Sequence, residues 1–206
     1  MGLRSGLILF FGIWCVVNSV NAQQFPSAVW HAGKLVTVED DTIEGDIKYN
    51  LDLDLIQINT KSNKIYTLSA KKLHYFEIFD ETVDNFRYFY SLPFAKDSNY
   101  EVPMLFEVIH EGKMSLLSRE KVVTETVTQY SYYSPYNVTR QTLGYDFYFL
   151  RQGSVLKQYF GKKNELETVF MRDRAKEVGA FIKKNRLSVD RKGDLLRIVY
   201  FYNSMI

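Results

Sequence analysis

Carboxylates and histidines are the side chains of this chain best suited to chemistry, and their spacing decides what chemistry is open to them. The three histidines, His31, His74 and His110, are too far apart to form an H-x-x-x-H metal pattern, so they read as surface or edge-strand residues. No serine lies in a G-x-S-x-G elbow, so a Ser-His-Asp hydrolase would have to assemble from residues without a local signature. Asp52 with Asp54, and Glu77 with Asp80, supply the paired carboxylates that glycoside hydrolysis uses. Strand alternation, however, puts Asp52 and Asp54 on the solvent face beside apolar neighbours. Asp40, Asp41, Glu44 and Asp46 crowd one turn with the oxygen ligands that calcium takes, but without the D-x-[DN]-x-[DN]-G order of a calcium loop. An acidic hairpin turn is the expected reading, and no metal or other cofactor is expected.

The only cysteine, Cys15, falls in a leader. Arg4 supplies a positive start, residues 7–17 an apolar stretch, and Val20-Asn21-Ala22 a small-residue cleavage site before Gln23. An apolar run of this length falls short of the ~18 to 20 residues that span a bilayer, so residues 1–22 are expected to be a cleaved signal peptide. Gly12-Ile13-Trp14 before Cys15 places a bulky Trp where lipoprotein signals carry a small residue, which argues against lipid attachment. The expected mature protein is exported to the periplasm, cell envelope or medium, and has no thiol for a disulfide or a cysteine nucleophile.

Residues 23–206 suffice for a core without staples, and 46% hydrophobic residues with only 4 prolines indicate a folded chain. Charge is unevenly spread: residues 23–149 carry 12 Lys plus Arg against 18 Asp plus Glu, and residues 150–206 carry 13 against 6. An acidic body is followed by a basic tail.

The hydrophobic period changes once. Up to residue 160 alternation dominates: Ile47, Tyr49, Leu51, Leu53 and Leu55 are apolar at every second position, which predicts one long half-exposed strand or two colinear ones. Turns are expected at Asp40-Asp41 and Lys61-Ser62-Asn63, and further hairpins over 73–92, 105–118 and 145–160. Residues 122–144, rich in Thr and Tyr, predict a long loop or irregular edge. The expected β core is Trp30, Tyr49, Leu53, Leu55, Phe76, Ile78, Phe106, Val108, Phe147 and Phe149. After Gly161 helical spacing takes over. Asn164 with Glu167 resembles a capping box, and Val178, Phe181, Ile182, Leu195, Ile198 and Val199 form an apolar stripe. The expectation is α+β: an antiparallel β-meander, sandwich or partly open barrel, over 23–160, then two or three short C-terminal helices over 161–206.

Two surfaces stand out as candidates for interaction. Tyr130, Tyr132, Tyr133 and Tyr136 offer amphipathic area suited to a glycan or a protein. Lys183, Lys184 and Arg186 belong to a cationic face with Lys162, Lys163, Arg172, Arg174, Arg191 and Lys192, which suits an anionic envelope component. Export makes nucleic acid an unexpected partner.

Trp30-His31-x-Gly33, Glu44-Gly45-Asp46-Ile47-Lys48-Tyr49, Tyr75-Phe76-Glu77-Ile78, Phe89-Tyr90-x-Leu92-Pro93, Phe106-Glu107-Val108, Leu116-Leu117-Ser118-Arg119-Glu120 and the ending Tyr200-Phe201-Tyr202-Asn203 are the blocks that carry a resemblance. In these the chain resembles a family of exported bacterial proteins with a β-rich body and a basic helical tail. The resemblance covers nearly all of residues 23–206 and implies one continuous fold in a bacterial envelope setting. It implies no activity and transfers no functional residue.

The leading expectation is therefore a non-enzymatic exported or envelope-associated protein, an interaction or structural module. The alternative is a hydrolase of an extracellular polymer whose carboxylates converge only on folding. An outer-membrane barrel is a third possibility, disfavoured by strands read as shorter than the ~9 to 11 residues such barrels use.

Overall fold

The computed structural model describes residues 24–96, 100–130, 132 and 134–206. The expected signal peptide and Tyr133 lie outside these residues. Ten antiparallel strands form one sheet: β1 (His31–Thr37), β2 (Thr42–Asn50), β3 (Leu55–Thr60), β4 (Ile65–Ser69), β5 (Leu73–Asp80), β6 (Asn85–Phe94), β7 (Val102–His110), β8 (Met114–Tyr130), β9 (Pro135–Arg151) and β10 (Lys157–Tyr159). Their order is β10-β9-β8-β7-β6-β5-β1-β2-β3-β4, so nearly every strand pairs with its neighbour in sequence. The turns that allow this are tight. Asp40, Asp54, Asn63 and Asp84 take positive φ at the first four hairpins, a conformation that Asp and Asn tolerate through local side-chain hydrogen bonding.

The sheet is not closed, yet it is strongly curled. From β2 to β8 there are five strand-to-strand steps, about 24 Å if laid flat at ~4.8 Å each. The Tyr49 hydroxyl on β2 nevertheless donates to Glu120 Oε1 on β8 at 2.6 Å. Two glycines permit part of this bending. Gly33 and Gly45 sit opposite each other on β1 and β2, and a Cβ on either would lie 2.2 Å from a carbonyl oxygen of the next strand, Glu77 or Asn59. The outcome is nearest the expected partly open barrel, with β4 and β10 as its unjoined edges.

Strand alternation sorts the core. Leu35, Ile47, Tyr49, Ile56, Ile58, Phe76, Ile78 and Phe89 fill the inside of the curl, where the Phe76 and Phe89 rings stack with centroids 4.5 Å apart. On the opposite face, Phe94, Met104, Phe106, Leu117 and Tyr148 pack as a separate cluster. The helices cover the inner face of β8 to β10. They comprise α1 (Lys163–Glu165), running into a π-helical turn (Leu166–Phe170) and a 3₁₀ turn (Arg172–Arg174), then α2 (Ala175–Asn185) and α3 (Lys192–Asn203). Val178, Ile182, Leu195, Ile198 and Val199 pack there with Leu116, Phe147 and Phe149, as their helical spacing predicts. Asn203 fastens the end of α3 by accepting from Met114 N–H at 2.9 Å and donating to Met114 C=O at 2.8 Å.

Four expectations need correction. Residues 51–54 are a turn, so the alternating run from Ile47 to Leu55 spans two strands that are antiparallel, not colinear; Leu53 is 66 % exposed at that turn. Trp30 precedes β1 and is 44 % exposed. Asn164 caps nothing with its side chain, because the helix starts one residue earlier, at Lys163 after Lys162. Residues 122–130 and 135–144 are regular strand: β8 and β9 pair without a break from Met114↔Arg151 to Tyr130↔Pro135. They form a ribbon of Thr and Val pairs whose polar character hid its strand periodicity.

Candidate functional site

Charged residues interrupt the inside of the curl. Arg87 shares an inward parity with Phe89, Glu107 with Leu105, and Glu120 with Leu116 and Ser118, so pleating alone drives three charges into the core. They survive there because they meet. The Arg87 guanidinium donates to Glu107 Oε1 at 3.0 Å, to Glu120 Oε2 at 2.8 Å, to Asp80 Oδ2 at 3.1 Å and to the Tyr49 hydroxyl at 2.9 Å. Ser118 Oγ donates to Glu107 Oε2 at 2.9 Å, and Lys192 Nζ, from the first turn of α3, lies 3.0 Å from both Glu107 oxygens. Thr82 donates to Asp80 Oδ1 through its backbone N–H at 3.0 Å and its hydroxyl at 2.6 Å. A guanidinium is suited to this role, since it stays charged and presents five donors in a fixed plane.

The electrostatics follow from the contacts. Burial raises the Glu107 carboxyl, but Arg87 and Lys192 outweigh it and hold it below the ordinary range. Burial likewise works against Asp80, and the Thr82 hydrogen bonds with Arg87 bring it below that range. Burial pushes the Tyr49 phenol up, so it stays a donor. Asp80, Arg87, Glu107, Tyr145 and Lys192, together with Phe25 and Pro26, line a cleft of about 580 Å³.

This arrangement fixes geometry and offers little acid–base chemistry. A glycosidase needs a carboxyl kept protonated near neutral pH and facing a second carboxylate across room for substrate. Here the carboxylates converge on one guanidinium, and those of Glu107 and Asp80 are biased toward ionisation. Among the described residues no group of three or more His, Asp and Glu side chains is arranged to hold a metal. The acidic turn at Asp40 is held by backbone N–H groups of Glu39 and Asp41 donating to Thr37 Oγ1.

A second ion pair stands where β8 leaves β7. Their pairing covers His110 to Glu107 and stops, and beyond it the side chains of Asp54 and Arg119 take up the Leu105 backbone groups. Leu105 N–H donates to Asp54 Oδ1 at 2.7 Å, and Arg119 donates to Leu105 C=O at 2.7 Å, to Asp54 at 2.7 Å and to Leu51 C=O. β10 pairs only with Phe147 to Phe149 of β9. Beyond these points β8 and β9 run on alone as an arm of about ten residues per strand, roughly 34 Å long.

The tyrosines singled out from sequence stand at the tip of this arm. Tyr130 is 86 %, Tyr132 97 % and Tyr136 51 % exposed, and the Tyr136 hydroxyl donates to Gln129 Oε1 at 2.9 Å. Lys183 and Lys184 occupy the exposed last turn of α2, and Arg186 follows in a left-handed conformation that closes it. The two groups thus sit on different elements. Lys192, expected on the outward cationic face, instead turns inward to Glu107 with its ammonium 4.9 Å from the Tyr145 ring centroid. Lys163 and Arg174 are engaged locally, with Glu167 and Glu177.

No family model, curated protein or solved structure matches the chain. Its functional reading therefore rests on these contacts and on the sequence. No helix among the described residues is long and apolar enough to cross a membrane.

Proposed function

We propose that the protein is a non-enzymatic, exported interaction module of a bacterial envelope, with the β8–β9 arm as its recognition element. The observation that carries this reading is the arm itself: a two-stranded ribbon, of a kind marginal alone in water, extending from the body with exposed tyrosines at its tip. The leader-like residues 1–22 and the family resemblance support export, and the ion-paired carboxylates of the cleft support binding over catalysis. The partner fitting the tip is an envelope protein or a glycan, and the exposed end of α2 at Lys183, Lys184 and Arg186 adds attraction for an anionic component.

Two measurements test this. Intact mass of the exported protein should show loss of residues 1–22, and a mass retaining them overturns the envelope setting. Because Lys121 and Gly144 are cross-strand partners, an Asn-Gly turn can replace residues 122–143 and leave the body intact. Retention of this shortened protein on native envelope fractions should fall by roughly tenfold or more against wild type, as expected when aromatic anchors are lost. Equal retention removes the arm from the proposal. Exchanging Lys183, Lys184 and Arg186 for Glu should abolish only the salt-sensitive part of retention, since screening lengths fall from about 10 Å at 0.1 M to about 3 Å at 1 M salt.

A further inference from the structure

The arm has two free edges, and they are not equivalent. Leu105 points its N–H and C=O toward β8, so Glu107, two residues on, does the same and bonds Ser118 opposite it. Register along β8 is unbroken, so its even residues, Val122, Thr124, Thr126, Thr128 and Tyr130, turn their backbone groups to the side that β7 has vacated. Along residues 122–130 this edge has no Pro, no Gly and one charge, Glu125. Natural edges are guarded by such features, and one without them is a template for another strand. The β9 edge begins with Pro135 and carries Arg140 and Gly144. Residues 122–143 of the arm are neutral, since their only charges, Glu125 and Arg140, pair across the hairpin at 3.3 Å.

We infer that the β8 edge is a homodimerisation site, at which two copies pair residues 122–130 antiparallel about a two-fold axis through Thr126, forming a continuous four-stranded ribbon. The register is set by which backbone groups face outward. Only even residues can exchange hydrogen bonds, and centring on Thr126 opposes Thr124 to Thr128 and Val122 to Tyr130 of the second copy. The same register sets Glu125 against Val127, leaves the two Glu125 only diagonal to each other with each paired to its own Arg140 at 3.3 Å, and joins the exposed Val122 and Tyr130 as an aliphatic–aromatic cross-strand pair at each end. A second copy fits because the edge is neutral, its one charge being paired with Arg140, and because the two-fold register sets Thr against Thr and Val against Tyr, residues that pack across strands. The inference does not depend on export or on an envelope partner, because purified protein suffices to test it.

The test is sedimentation equilibrium of residues 23–206 over a concentration series, with two proline variants. Thr126→Pro removes an outward N–H from β8 and leaves the bonds to β9 in place. Thr139, opposite Thr126, presents its backbone on the other free edge, so Thr139→Pro is the matched control. Wild type and Thr139→Pro should show a concentration-dependent mass approaching the dimer. Thr126→Pro should raise the dissociation constant at least tenfold, with unchanged far-ultraviolet circular dichroism and with the wild-type melting temperature at concentrations where wild type is monomeric. A monomeric wild type at every concentration overturns the inference, and so does a dimer that survives Thr126→Pro with its affinity unchanged.

Discussion

Replacing Arg87 with Leu should destabilise the protein by about 3 to 5 kcal/mol, the cost of removing one partner from a buried ionic group. Among the described residues the guanidinium alone touches Asp80, Glu107 and Glu120 together, and its loss leaves these buried carboxylates with Lys192 as the cation at Glu107. It also severs the span from β6 to β2 and β8 that holds the curl. Chemical denaturation at pH 7 checks the value, and a loss under about 1 kcal/mol would mean that solvent already reaches the cluster. Adding Glu107→Gln should recover part of the loss, because the variants share one network and are not additive.

The pH dependence carries a sign. In wild type, Asp80 and Glu107 have folded values below the ordinary carboxylate range, so their contribution to stability is complete above about pH 5, beyond the unfolded values, and is lost as pH falls through the folded ones. Without Arg87, burial acts on the same carboxyls with less opposition, and acid relieves their charge. The gap between variant and wild type should therefore narrow as pH falls from 7 toward 4. A gap that widens would contradict the arrangement.

Truncating Phe76 or Phe106 to Ala should each cost about 3 to 5 kcal/mol. Both are fully buried, Phe76 against Phe89 inside the curl and Phe106 against Tyr148 and Phe94 on the other face. Because they belong to separate clusters, the two losses should add within about 0.5 kcal/mol. Against a typical total of about 5 to 15 kcal/mol, the double variant should be largely unfolded. Losses under about 1 kcal/mol at both would mean that the strand faces are reversed.

Most of the body could be read from period-2 alternation because burial enforces it: Phe76, Ile78, Phe147 and Phe149 fall where the pattern puts them. The pattern misled at Leu53, where four residues of turn preserve the alternation while reversing the chain. It was silent over the arm, whose Thr-rich strands bury neither face and so lack the apolar stripe that reveals a strand. The Arg87 cluster was harder to see, since its members come from β2, β5, β6, β7, β8 and α3 and meet only through the curl. The local cue was a charge at an inward position between aromatics. The tyrosine tip was legible by composition, while its placement on a projecting ribbon was not.

The central claim, recognition through the arm and not chemistry in the cleft, is tested most directly by hydroxyl-radical footprinting of the mature protein, free and bound to native envelope fractions. The account predicts protection concentrated on Tyr130, Tyr132 and Tyr136, with Phe25, Phe86 and Tyr145 around the cleft unchanged. Protection of the cleft residues with the tyrosine tip fully reactive would contradict it.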